Sequence, residues 1–276
     1  MSEWDETLVA YQKASELDPR DANLHFDLGA GTCLLTRRYA DARRAADRAL
    51  HLAPDLCEAI LSRAWTQVLS AGNLAALQQA LSAIPASQEF GGERVSARYQ
   101  RCTLLMFSRD VPGLLRECLR APDMVFSGQV SFVPTSLFAG WAHQLGGDGA
   151  SSRAAFESAR ATLDRELRQL PNDWRLHAAR GLTLAGLGYR GEARREADWL
   201  RRSEVYARDA YNGPFLAEDR ARILAQAGDA DEALDEIERR LSQPSWLSVH
   251  TLRLDPRWDP IRSHPRFQAL LKKHGS

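Results

Sequence analysis

Catalysis and metal binding need reactive side chains at set spacings, and the histidines are the first place to look for them. The seven are His25, His51, His143, His177, His250, His264 and His274. None forms H-E-x-x-H or another close pair that would turn two imidazoles toward one zinc ion. His51 lies shortly before Cys57, but Pro54 turns the chain between them. The four cysteines, Cys33, Cys57, Cys102 and Cys118, have no CxxC spacing. Each falls in an apolar-periodic segment, where cysteine acts as a small hydrophobe, so they are expected to be reduced and structural. There is no G-x-S-x-G elbow and no cysteine in a known nucleophile signature. Gly186-Leu187-Gly188-Tyr189-Arg190-Gly191 does match G-x-G-x-x-G. That fingerprint holds a pyrophosphate only when a strand leads into it and a helix N-terminus follows. Here a segment of 3.6-residue period precedes it, so the glycines read as a turn between helices. The acidic run from Asp229 to Glu238 belongs to an exposed helix face. These residues predict no enzyme activity, no cofactor and no metal.

Charge points the same way. Lys+Arg and Asp+Glu are 36 each, a net charge of zero, which gives no global attraction to nucleic acid or to an anionic membrane. Basic pairs such as Arg37-Arg38 and Arg201-Arg202 have acidic residues nearby and read as solvated helix faces. No run approaches the roughly 20 apolar residues of a membrane helix, and no signal peptide opens the chain. Cytoplasm is the expected compartment, although a soluble part of a membrane-anchored protein would look the same.

The elements that carry these residues are helices in pairs. From Trp174 to Leu200 two apolar-periodic segments meet at Gly188-Tyr189-Arg190-Gly191, and Gly181, Ala193 and Ala197 place small residues where antiparallel helices approach. This stretch should form a helical hairpin. Similar pairs are expected at Asn23–Thr36 with Tyr39–Leu52, and at Leu56–Ser70 with Leu74–Ile84. Three further pairs are Arg94–Phe107 with Val111–Leu119, Val133–Leu145 with Ala150–Leu170, and Pro214–Ala227 with Ala230–Leu241. A lone helix around Trp4–Ala14 precedes them, and its Trp4, Leu8 and Tyr11 stripe lacks a covering partner. Pro85–Gly92 and Pro122–Ser131 read as long connections.

The spacing of Gly181, Gly188, Ala193 and Ala197, Leu28-Gly29, and Tyr11 and Ala14 before Pro19 resembles the tetratricopeptide (TPR) repeat, a helix-turn-helix unit of about 34 residues. The resemblance implies an all-α fold: a TPR-like α-solenoid of stacked antiparallel hairpins over residues 1–241, its first unit lacking a first helix. A C-terminal cap over 242–276 would end in a short amphipathic helix around Phe267, Leu270 and Leu271. The tail DPRWDPIRSHPRFQALL is similar to the endings of TPR regions in bacterial signalling proteins. That likeness implies a segment of a larger bacterial regulatory protein, with a fused regulatory domain upstream.

A TPR array implies a scaffold that binds a protein or peptide along a concave groove lined by first helices. In this register the partner-binding residues are Asn23, Phe26, Glu58, Trp65, Tyr99, His143, Arg175, Glu218 and Arg222. Phe26 and Trp65 could equally be packing residues. Arg175 and Arg222 are expected to be exposed anchors whose loss leaves the fold intact. The alternative from another class is an enzyme or small-ligand-binding protein with a pocket inside the superhelix, using His143 or His177.

Overall fold

A computed structural model describes residues 3–84 and 96–275. In chain order its helices are α1 (Glu3–Leu17), α2 (Ala22–Asp27), α3 (Tyr39–Leu52), α4 (Cys57–Ala71), α5 (Leu74–Ala83), α6 (Ala97–Phe107) and α7 (Val111–Leu119). Two short strands follow, β1 (Val125–Ser127) and β2 (Phe132–Pro134). Then come α8 (Thr135–Leu145), α9 (Gly149–Gln169), α10 (Trp174–Gly186), α11 (Arg190–Arg202), α12 (Glu204–Arg208), α13 (Gly213–Ala227) and α14 (Ala230–Ser242). The tail carries α15 (Val249–Leu254), a 3-10 turn at Pro256–Trp258, α16 (Asp259–Arg262) and α17 (Pro265–Lys273). The chain is all-α, and consecutive helices pack as hairpins, as its periodicity predicts.

Aspartates set several of the helix starts. Asp21, Asp110, Asp148 and Asp173 each accept a hydrogen bond from a backbone N–H in the first turn of α2, α7, α9 and α10. Such a cap satisfies an orphan donor and is worth about 1 kcal/mol. Gly72 ends α4 at φ 68°, the left-handed conformation that only glycine adopts without steric cost.

The chain divides into two compact units. One comprises Met1–Arg101 with Gln243–Thr251, the other Cys102–Ser242 with Leu252–Ser276. In the first, Leu8, Cys33, Leu34, Ala42 and Leu69 form a core on which Tyr39, Trp65 and Trp246 pack. Leu8 of α1 is therefore covered, whereas Val9 and Leu17 of the same helix stay exposed. The return segment is also held by hydrogen bonds. Arg37, a non-glycine residue at φ 56°, donates to the carbonyls of Gln243 (2.8 Å) and Leu247 (3.1 Å) and to Ser245 Oγ (3.1 Å). The Ser245 N–H donates to the Leu35 carbonyl at 2.9 Å.

The second unit contains the hairpins α8/α9, α10/α11 and α13/α14. Small residues stand at their crossings: Ala193 and Ala197 are fully buried, and a Cβ on Gly181 would lie 2.5 Å from Ile223 of α13. Phe156 of α9 is wedged between Gly140 of α8 and Gly186 of α10, where a Cβ on either would come within 2.5 Å of its ring. Gly186 thus makes room for an aromatic side chain, and α10, not a strand, leads into the glycine run. The tail packs on this unit, with Phe267, Leu270 and Leu271 buried and Arg266 of α17 paired with Asp235 and Glu238 of α14.

Three expectations need correction. The first helix expected over Asn23–Thr36 stops at Asp27 and continues as one wide π-type turn, Leu28–Cys33. That turn falls where Gly29 meets α3, its Cβ position 3.1 Å from Ala45 Cβ. The connection expected over Pro122–Ser131 contains β1, which pairs antiparallel with β2, Phe126 opposite Val133. Val133 is accordingly in a strand, and α8 begins at Thr135. The tail is more than an end cap, because its Gln243–Thr251 portion belongs to the first unit. The Pro85–Gly92 connection and the start of the helix expected at Arg94 lie outside the described residues.

Candidate functional site

The first helices carry the residues expected to meet a partner, and the structure sorts those residues into three groups. Asn23, Glu58 and Tyr99 lie on or near the surface of the first unit: Asn23 is exposed at the start of α2, while Glu58 and Tyr99 are half-buried in the first turns of α4 and α6. Phe26 and Trp65 of the same unit are packing residues. Phe26 is buried against Ala49 and Ala59, and Trp65 lies on the core while its Nε1 donates to Gln100 Oε1 at 2.9 Å. The residues of the second unit form the third group. His143 is partly exposed with Asp148 at 3.7 Å, but Arg175, Glu218 and Arg222 are all engaged by the chain itself.

Arg175 opens α10, and its direction is fixed by Asp173. The carboxylate accepts from Arg175 Nε at 3.0 Å, from Nη2 at 2.6 Å and from the backbone N–H at 3.0 Å. Burial pushes the Asp173 carboxyl up, but the Arg175 hydrogen bonds more than reverse this and hold it below the usual carboxylate range. The remaining arm of the fork, Nη1, donates to the main-chain carbonyl of Gly128 at 2.6 Å, at the tip of the β1–β2 hairpin. The hairpin packs through β2 on α8, α9 and α10.

Glu218 and Arg222 of α13 are not exposed anchors. Arg222 binds Glu218 through Nη2, donates to Asp219 through Nη1 at 2.8 Å and donates to Asp255 of the tail through Nε at 3.2 Å. Its guanidinium also lies 5.4 Å from the ring centre of Trp258, a fully buried side chain. Asp255 is shared with Arg257, whose Nη2 donates at 2.8 Å and whose guanidinium covers Trp141 of α8 at 5.2 Å. Arginines and indoles thus alternate around one buried carboxylate. Burial raises the Asp255 carboxyl, but Arg257 and Arg222 outweigh it and hold it below the ordinary range. Glu218 goes the other way: burial pushes it up, and Arg222 only partly offsets the shift. Spacing on the first helix identified these two residues as special, but they fasten the tail to α13.

Two ion pairs, one part-buried and one buried, escaped the sequence reading, and a repeat betrays them. Arg180 of α10 binds Glu196 of α11, and Arg220 of α13 lies 3.5 Å from Glu236 of α14. Both pairs are separated by 16 residues, and the second repeats the first along the next hairpin. Arg220 also binds Glu232 and donates to the Ala197 carbonyl of α11 at 3.2 Å, so consecutive hairpins are stitched together. His177 joins the first pair. Its Nδ1 meets Glu196 Oε2 at 2.7 Å, its Nε2 meets the Pro171 carbonyl at 2.9 Å, and its ring stacks on Trp199 at 3.6 Å. With both nitrogens engaged, this ring has none left for a substrate.

The cysteines are structural in this setting. All four are free and buried, and burial, with the Asp41 charge adding, pushes the Cys33 thiol up to about 11. A thiol held protonated is a poor nucleophile. Among the described residues no three His, Cys, Asp or Glu side chains gather as a metal set, and no helix is long and apolar enough to cross a membrane.

No family model matches the chain, and no curated protein matches it. Among solved structures it is similar to a tetratricopeptide repeat protein from Parabacteroides merdae, at 14% identity over 99% of this chain and 93% of that one, with a TM-score of 0.48. It is also similar to yeast Tom70, at 13% identity over 99% of this chain and 65% of that one, with a TM-score of 0.29. The chain's own geometry is that of an all-α array of consecutive helix pairs with small residues at their crossings.

Proposed function

We propose that the chain is a protein-interaction scaffold that takes an extended polypeptide segment against its first helices. The observation that carries this reading is the contact of Arg175 with Gly128. A guanidinium fixed by Asp173 gives its remaining arm to a main-chain carbonyl at a hairpin tip, a charge-assisted contact that asks nothing of the side chain presented. Asn23, Glu58, Tyr99, His143 and Arg175 are the contact residues in this proposal, and Phe26, Trp65, Glu218 and Arg222 hold the scaffold. A cytoplasmic bacterial regulator with a fused domain upstream would be a fitting context, supported by the tail sequence.

Photo-crosslinking tests the reading. A benzophenone side chain is placed in the full chain at Tyr99, at His143 and, as a control, at the exposed Arg195 on α11, and each variant is irradiated in cell extract. The expected result is an adduct at position 99 and an adduct at position 143, with none at 195. Adducts at 195 alone, or at none of the three, would overturn it.

A further inference from the structure

We infer that the β1–β2 hairpin is a built-in pseudo-ligand of this scaffold. It occupies the N-terminal ends of α8 and α10, and a partner segment binds there by displacing its tip from Arg175. The inference rests on the scaffold reading and names how its site is regulated.

The first support is length. Residues 120–134 connect α7 to α8, a span of 15 residues, whereas α10 and α11 are joined by residues 187–189 alone. Helix–helix connections in bundles typically take about 2–8 residues, so this one carries more chain than closure requires. The second is marginal stability. Two strands of three residues do not hold together by themselves in water; the hairpin is ordered by the helices under it.

The third is the contrast between base and tip. At the base, the Met124 carbonyl accepts from both the N–H and the Oγ1 of Thr135 at 2.8 Å, and Thr135 is buried. Phe126 is buried edge-on against Phe138 of α8, with ring centres 5.9 Å apart. At the tip, Ser127 and Gln129 are exposed and the tie to α10 is Arg175 Nη1 to the Gly128 carbonyl. Such a hairpin can lift at its tip while its base stays seated.

The fourth is the receptor side. Asp173 grips Arg175 with both oxygens, so the guanidinium keeps its aim when the tip leaves, and little ordering is left for an incoming segment to supply. The same carboxylate neutralises the pair and repels a second carboxylate. The fitting partner is therefore an extended, uncharged segment that offers a main-chain carbonyl to Arg175, as Gly128 does.

The test supplies the hairpin in trans. A fluorescein-labelled peptide of residues 122–135 is titrated by anisotropy into three full-length chains: wild type, a chain with residues 127–131 replaced by two glycines, and that shortened chain carrying Arg175→Ala. The shortened chain should bind at least about tenfold tighter than either of the others. Equal binding to wild type, or no effect of Arg175→Ala, would overturn the proposal. So would no binding by a shortened chain that melts like wild type. Should the shortened chain not fold, hydrogen exchange decides between wild type and Arg175→Ala. The Gly128 amide, bonded to the Ser131 carbonyl, should exchange about tenfold faster in the variant while α8 and α10 are unchanged. An unchanged Gly128 rate would sink the idea. Crosslinks at positions 99 and 143 do not need the hairpin, so their persistence beside a failed peptide titration would refute this inference alone.

Discussion

Arg222 shows how a single residue can look like a binding anchor and be a fastening. Its guanidinium has three carboxylates around it and Trp258 beside it, with Glu218, Asp255 and Trp258 buried and Asp219 partly exposed. Removing one partner of a buried pair leaves the others uncompensated, at a cost of about 3–5 kcal/mol. Arg222→Ala should therefore lower the urea midpoint sharply; a chain as stable as wild type would return Arg222 to the surface. Acid gives a second test. Asp255 and Asp259 are both held below the ordinary range by neighbouring arginines, so their stabilisation is complete above about pH 4 and is lost as pH falls through their lower folded values. Glu218 has the opposite sign, since burial raises it and its protonation favours the folded chain. The share of stability that Asp255 contributes should be lost below about pH 4, so the drop in urea midpoint from pH 7 to pH 3 should be shallower in Asp255→Asn.

At the scale of elements the chain was largely legible, and the reason is periodicity. Helices α3 and α7 run over the residues their apolar pattern gives, and α10/α11 turns at Gly188 as expected. Strands of three residues are different: Val125–Ser127 and Phe132–Pro134 offer too few alternations to reveal themselves. The site was legible in part. The pattern located Arg175 on a first helix, but it carried no sign that Gly128, 47 residues earlier, would meet it. Nor could it tell an exposed Glu218 from a buried one, because a first helix covered on both sides uses the same spacing as one that faces water. Repeats did hold the missing clue, since Arg180 and Glu196 recur as Arg220 and Glu236 at the same separation. The hairpin register itself can be tested at Ala193, which is fully buried. Ala193→Leu should cost about 1–3 kcal/mol by overpacking, whereas Arg195→Leu on the exposed face of α11 should melt like wild type. Equal melting of the two would put α11 in a different register.

At the scale of the whole molecule, neither compact unit is a continuous stretch of sequence. Each takes part of the tail: Gln243–Thr251 completes the first, with Trp246 on its core, and Leu252–Ser276 completes the second, with Trp258 and Phe267 buried. A chain ended after Leu241 should therefore lose protection in both places. Hydrogen exchange should quicken in α3 as well as in α13, and an unaffected α3 would show that the first unit stands without its return segment.

The tie between Arg37 and Gln243 spans 206 residues, and that distance bears on how the protein is made. A ribosome adding about 5–20 residues per second needs roughly 10–40 seconds to travel between them. Throughout that interval the nascent N-terminal helices wait with the seat of Trp246 open and the carbonyl of Leu35 unmatched. Vectorial synthesis can finish hairpins as they emerge, but it cannot finish this unit until Gln243–Thr251 has been made. The early helices thus wait exposed for the segment that completes them, and a holding chaperone would find its substrate there.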